Sequence, residues 1–192
     1  MSILALTSDT LIGTPASGNL EYNGQFFGTD SNASRAQLQR ITSGTAVAST
    51  SGTSIDFTSI PSWVKRITVM FDRVSTNGTS FVQVQLGTSG GFVITGYVSA
   101  ASNTGTGISS TTGLVLYSST ASDSRIGTMS LNLISGTRWI ANGNTIIGTT
   151  ANLNFPQAGT VDISGTLDRV RITTVNGTDT FDAGSINIMY EG

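Results

Sequence analysis

The chain contains no cysteine and no histidine. The first absence excludes disulfides, thiolate nucleophiles and cysteine-ligated zinc. The second excludes a Ser-His-Asp triad, an imidazole base and a histidine-rich metal site. The catalytic arrangements of most common hydrolases are therefore excluded. We expect no catalytic residues, no metal site and no cofactor.

Charge is also scarce, since charged residues make up only 10% of the chain and the net charge is −2. The nine basic residues are scattered, whereas proteins that bind a phosphate backbone cluster them on one face. No segment approaches the roughly 18 apolar residues of a membrane span. We therefore expect neither a nucleic-acid partner nor insertion into a membrane.

Paired carboxylates for acid–base catalysis are not evident. The only glutamates are Glu21, near the N-terminus, and Glu191, one residue from the C-terminus. Asp179 and Asp182 could hold a hard cation, but carboxylates that stabilise turns are far more common. The sequence thus favours a protein without catalytic activity.

What the chain does contain is hydroxyls and short apolar runs, with 26 Ser and 30 Thr beside 23 Gly. From residue 44 onward the apolar residues alternate with polar ones, and Gly, Ser, Thr and Asn separate the runs. This pattern is typical of an antiparallel β-sandwich or barrel. We therefore predict an all-β head domain over residues 44–192.

Residues 1–43 form a different segment, which we interpret as an N-terminal arm for attachment and trimerisation. Most of it is irregular, with one small hairpin. The exception is DSNASRAQLQRI, residues 30–41, which predicts a short helix capped by Asp30 or Ser31.

Asn-Gly dipeptides at 77–78 and 176–177 each lie between apolar runs, in ITVMFDRVSTNGTSFVQVQL and DRVRITTVNGTDTF. Asn-Gly is the strongest signal for a two-residue type I′ hairpin turn. We therefore predict two hairpins, the first pairing the strands on either side of 77–78. A third hairpin is predicted to join residues 129–134 to residues 138–144.

The second of these hairpins would carry apolar residues on both faces. One explanation is a bend or bulge near Ala183-Gly184 that turns the strands around a corner. The other is that one face packs in the core and the other contacts a neighbouring subunit. On that reading, Val170, Ile172 and Phe181 are candidates for a subunit interface.

Two polar segments separate the strands. Residues 100–112, AASNTGTGISSTT, predict a long flexible loop, and residues 118–125, SSTASDSR, a second polar connection.

Two longer stretches, IPSWVKRITVMF and SGTLDRVRITTVNGTDTFDAGSINIMYEG, resemble a group of bacteriophage tail-fibre proteins. The segment GNLEYNGQFFGTDSNASRAQLQRI is similar to the part of those fibres that joins the shaft to the distal domain. The resemblance implies a homotrimeric virion protein whose C-terminal β-sandwich, or jelly-roll, binds polysaccharide or protein on the host surface. The arm would contact other virion proteins.

In such fibres this region usually ends a longer polypeptide, so the chain is either a short stand-alone fibre or a fragment. A trimeric capsid decoration or head-fibre protein is the alternative. A depolymerising tailspike is disfavoured, because those enzymes carry long β-helices and acidic clusters.

For a tail-fibre tip, we predict that residues 88–112 and 118–126 form the contact surface. Hydroxyl- and amide-rich loops on a rigid scaffold suit the recognition of sugars, and three copies would add avidity. The candidate ligand-binding residues are Tyr97, Asn103, Tyr117, Asp123 and Arg125.

Overall fold

The computed structural model describes residues 13–14, 16–23, 25–102, 105–117, 120–121, 123–148 and 154–192. The chain divides into two compact units, Met1–Arg40 and Ile41–Gly192. Within the described ranges, no helix is long and apolar enough to cross a membrane.

The N-terminal unit contains a three-stranded antiparallel sheet made of β1 (Leu20–Tyr22), β2 (Phe26–Thr29) and β3 (Arg35–Gln37). The helix predicted over residues 30–41 is therefore wrong. Asp30 Oδ1 accepts hydrogen bonds from the backbone N–H groups of Asn32 and Ser34, both at 2.9 Å. Its carboxylate thus closes a tight turn that sends the chain back along β2, instead of capping a helix.

The larger unit is built from antiparallel strands, which confirms the all-β prediction. In the nine-stranded sheet the order is β11-β10-β15-β14-β13-β7-β17-β4, with β5 also paired to β17. In the five-stranded sheet the order is β12-β8-β16-β6, with β9 also paired to β8. The strands are β4 (Ile41–Ser43), β5 (Val47–Ala48), β6 (Ser54–Phe57), β7 (Arg66–Thr76), β8 (Val82–Thr88), β9 (Gly91–Phe92), β10 (Val98–Ser102), β11 (Gly107–Ser110), β12 (Leu114–Val115), β13 (Arg125–Ser135), β14 (Arg138–Ile147), β15 (Asn154–Asp162), β16 (Arg169–Thr174) and β17 (Phe181–Glu191).

One hydrophobic cluster joins the two sheets. Val69 of the larger sheet and Val84 and Leu86 of the smaller sheet belong to it, and all three are fully buried. In β8, β14 and β16, alternate residues point into this cluster, as the period of two requires. The packing is sandwich-like, with one core between two facing sheets.

The two predicted Asn-Gly hairpins are wrong. β7 pairs with β13 and β17, whereas β8 pairs with β9, β12 and β16, so the chain changes sheet at residues 77–81. It changes sheet again between β16 and β17. A type I′ turn needs a positive φ at both central residues. Of the four Asn-Gly residues, all within the described ranges, only Gly177 has one, at 69°.

The repeated sequence marks two crossings that lie side by side. Asn77 N donates to Thr180 O, and Thr180 N donates to Asn77 Oδ1, both at 2.9 Å. Asp179 Oδ2 accepts from Ser80 N at 2.9 Å, and Ser80 Oγ accepts from Asn176 N at 3.0 Å. Because each connection binds the other, β7 stays beside β17 while β8 stays beside β16.

The bulge predicted near Ala183-Gly184 is confirmed. The β17 register against β7 shifts on both sides of Ala183. Gly184 has a φ of 89°, and a Cβ there would collide with the backbone of Asp72 and Arg73, so only glycine fits. This bulge explains why apolar residues change face along the strand.

The interface candidates have their side chains inside a single chain. Val170 and Ile172 are 0% exposed, and Phe181 is 1% exposed. All three belong to the cluster between the two sheets. Their apolar surface is covered by the same chain, so these side chains are not available to a neighbouring subunit.

The third predicted hairpin is confirmed, because β13 pairs with β14 through a turn at Gly136-Thr137. The flexible loop predicted at 100–112 is wrong in part. Residues Val98–Ser102 and Gly107–Ser110 pair as a second hairpin at the edge of the nine-stranded sheet. The small polar residues of this segment therefore belong largely to paired strands and not to a loop.

Replacing Asp179 by alanine should lower the free energy of unfolding by about 1–2 kcal/mol, because Ser80 N and Asn176 Nδ2 each lose an acceptor. Urea denaturation followed by tryptophan fluorescence measures this loss. Asp179→Asn is the matched control, since it keeps one side-chain oxygen, and its loss should be smaller. Equal stability of the wild type and Asp179→Ala would contradict the paired crossings.

Candidate binding groove

A groove of about 340 Å³, lined by both polar and aliphatic side chains, lies on the five-stranded sheet, on the face opposite the core. Gln83 and Gln85 of β8 and Arg171 and Thr173 of β16 line it. These positions alternate with buried core residues, so strand periodicity directs them outward. The volume falls in the range of ordinary small-ligand sites.

Arg171 is held rigidly beside the groove. Its Nε and Nη2 donate to Asp56 Oδ1 and Oδ2 at 2.8 and 2.7 Å, which is a bidentate ion pair. Its guanidinium carbon also lies 4.0 Å from the centre of the Phe92 ring. The hydrogen bonds that Arg171 donates to Asp56 raise the pKa of Arg171, so this side chain stays charged.

Glycine at position 87 allows β9 to bring Phe92 over the sheet. Gly87 pairs with both Phe92 and Arg169. A Cβ at Gly87 would lie 2.9 Å from Phe92 Cα and 2.8 Å from Arg169 Cγ, closer than real Cβ atoms approach. This close approach places the aromatic ring beneath Arg171.

The segment around Thr112 fixes the two glutamine side chains. Gln83 Oε1 accepts from Thr112 Oγ1 at 3.0 Å and from Ser110 Oγ at 3.4 Å. Gln85 Nε2 donates to Thr112 O at 2.8 Å. Each amide is therefore held in one orientation before any ligand arrives.

Most of the predicted ligand-binding residues lie elsewhere. Tyr97 is 1% exposed, and its hydroxyl accepts from Leu86 N at 2.8 Å and donates to Val93 O at 3.0 Å. Burial raises its pKa well above the ordinary value. Tyr97 thus links β8 to the segment after β9, with its side chain in the cluster between the two sheets and not in the groove lining.

Asp123 and Arg125 are also internal, with 3% and 0% of their surfaces exposed. Asp123 accepts from Thr120 N and Thr120 Oγ1, both at 2.9 Å, and so caps a turn. Tyr117 is half-buried and stacks on Phe155, with ring centroids 5.0 Å apart. Asn103 lies outside the described residues.

Sequence reasoning missed the residues of the groove. The alternation in VQVQL and RVRITT already directs Gln83, Gln85, Arg171 and Thr173 away from the core. Nothing local indicated that β8 and β16 are neighbours, so these polar positions were not brought together. The predicted contact segment 88–112 does contribute Ile94 and Thr112 to the groove lining.

The described residues contain no group of three or more acidic side chains that could hold a metal ion. No protein-family model matches the chain, and no match was found among curated proteins or among solved structures.

Replacing Gly87 by alanine should lower the free energy of unfolding by about 1–3 kcal/mol, because the new Cβ forces β9 off the sheet. Gly90→Ala is the matched control, since the nearest atom to its Cβ, Thr88 Oγ1, would lie 3.5 Å away. Chemical denaturation of the two variants should separate them clearly. If Gly87→Ala were as stable as Gly90→Ala, the close packing of β9 would be refuted.

Proposed function

We propose that this chain is the distal, receptor-binding part of a bacteriophage tail fibre, located in the virion and without catalytic activity. Its receptor is a polysaccharide or an outer-membrane protein on the bacterial surface. The main support is the groove, where amides and a hydroxyl are fixed on a rigid sheet in the manner of a binding site. The resemblance of IPSWVKRITVMF and the C-terminal stretch to tail fibres gives the biological setting.

Three carboxylates among the described residues support binding without catalysis. Asp56 and Asp168 are each paired with an arginine, Arg171 and Arg169, at 2.7 and 2.8 Å. Glu191 is likewise paired with Arg66. Acid–base catalysis needs a carboxyl group within hydrogen-bond reach of a substrate proton, and these three are instead bonded to arginine side chains.

We further propose a jelly-roll topology and a homotrimeric assembly. The connection from β7 to β8 and the connection from β16 to β17 cross side by side between the two sheets. As a result β7 pairs with β17 in one sheet and β8 pairs with β16 in the other, as happens when a pair of strands folds over together. Three copies would present three grooves and so raise the avidity for a repetitive surface. Light scattering after size-exclusion chromatography should then give three times the chain mass of 19.9 kDa.

Cell binding tests the proposed function directly. Fluorescently labelled protein should bind cells of the bacterial host and should inhibit adsorption of the phage that carries it. Immunogold labelling of virions should place it at the tail. Labelling over the capsid would instead support a decoration protein, and a protein that neither binds cells nor competes would overturn the receptor-binding role.

A further inference from the structure

We infer that the groove binds an uncharged hexose unit of the receptor polysaccharide. This inference rests on the proposed function and narrows its receptor to one chemical class. Four features of the groove carry it: its balanced charge, its oriented amides, its hydroxyl and its aliphatic rim.

Arginines in and beside the groove carry no uncompensated charge. Asp56 occupies both Nε and Nη2 of Arg171. Asp168 accepts from both Nε and Nη2 of Arg169, at 3.0 and 2.8 Å. Each guanidinium already has a carboxylate partner that balances its charge, so the groove attracts an anionic ligand less than an unpaired arginine would.

The glutamine residues lie at the base of the groove, where Gln83 is 2% and Gln85 is 6% exposed, and each keeps one end of its amide for a ligand. Thr112 and Ser110 engage the oxygen of Gln83 and the nitrogen of Gln85. In the described contacts this leaves Gln83 Nε2 as a donor and Gln85 Oε1 as an acceptor. The two residues are two positions apart on one strand, so they lie about 7 Å apart on the same face. A sugar hydroxyl both donates and accepts, and therefore suits either end.

A hydroxyl acceptor and an aliphatic rim complete the surface. Thr173 Oγ1 donates to Thr53 O at 2.8 Å, which leaves its lone pairs directed to other donors. At the groove, Ile94 is 59% exposed and Val175 is 42% exposed. These side chains offer apolar contact to the C–H groups of a sugar ring, while the neighbouring polar groups contact its hydroxyls.

The test is calorimetric titration of the whole protein with neutral glucans, mannans and galactans and with uronic-acid polysaccharides of matched length. We expect binding to at least one neutral polymer. Thr173→Val and Ile94→Ala should each weaken that binding about fivefold, because each removes one contact. Val98→Ala is the matched control, since Val98 is an exposed aliphatic residue on the other sheet.

Binding only to acidic polymers, or no binding to any polymer, would overturn the inference. Neutral binding that both groove variants retain in full would overturn it as well. Cell adsorption separates this failure from failure of the proposed function. If the wild type and the groove variants all compete with phage equally well, only the assignment of the groove as the binding site is refuted. Wild-type protein that does not compete removes the proposed function itself.

Discussion

Replacing Phe181 by alanine should lower the free energy of unfolding by about 3–5 kcal/mol. Phe181 begins β17 directly after the second crossing and is 1% exposed within the cluster between the sheets. Removing its ring leaves a cavity that the two sheets cannot close without losing their pairing. Urea denaturation monitored by the fluorescence of the two tryptophans measures the change.

Val175→Ala is the matched control for this experiment, because Val175 lies between the same two strands but is 42% exposed. Its effect should stay within about 0.5 kcal/mol. A subunit-interface role for Phe181 makes a different prediction, in which the variant dissociates but remains folded. A folded Phe181→Ala monomer with wild-type resistance to urea would therefore support that role and contradict the packing described above.

Local signals in the sequence predicted the parts of the fold that local forces decide. Alternating apolar residues identify the strands and separate inward from outward positions. The turn at Gly136-Thr137 lies between strands that do pair, and the change of face at Ala183-Gly184 does correspond to a bulge. For the turn, the deciding residues are within a few positions of one another. For the bulge, only the signal is local, since the bulge itself packs Gly184 against the backbone of Asp72 and Arg73.

The same reasoning gave wrong predictions where a residue's partners are distant in sequence or lie in another strand. Asn77 looks like half of a hairpin turn, yet its side chain bonds to Thr180 in the other crossing. Asp30 looks like a helix cap, yet it closes a turn between two strands. A propensity states what a short segment prefers in isolation, whereas these residues are fixed by contacts that only the assembled sheets provide.

The candidate site shows the same division. Strand periodicity places Gln83 and Arg171 on outward faces, but it contains no information that their strands are adjacent. Periodicity also indicates that Arg125 is an inward-facing residue, which the sequence analysis did not use. It has the same parity as Met129 and Leu131 on β13, both of which are buried, and so it points inward with them.

Replacing Arg125 by methionine should raise the free energy of unfolding by about 1–3 kcal/mol, the usual cost of burying donors that have no acceptor. Arg125 is 0% exposed, and its Nη1 donates only to Val74 O and Asp123 O, both at 3.3 Å. Its Nε and Nη2 have no hydrogen-bond acceptor among the described residues. Methionine fills similar space without a charge, so the cost of burying a poorly bonded guanidinium disappears.

The pH dependence of this gain identifies its cause. Burial lowers the pKa of Arg125 to about 10, although Asp123 and Asp182 oppose the shift. Below pH 10 the folded protein carries the full penalty of the charge. Above pH 10 the folded side chain releases its proton while the unfolded chain keeps it, so wild-type stability rises relative to Arg125→Met. Denaturation should therefore show a smaller stability difference between Arg125→Met and the wild type at pH 11 than at pH 7. Arg125→Ala is the control, and it should be less stable than Arg125→Met at both pH values because it leaves a cavity. If Arg125→Met were less stable than the wild type at pH 7, the guanidinium would be a net stabilising group and this account of its environment would fail.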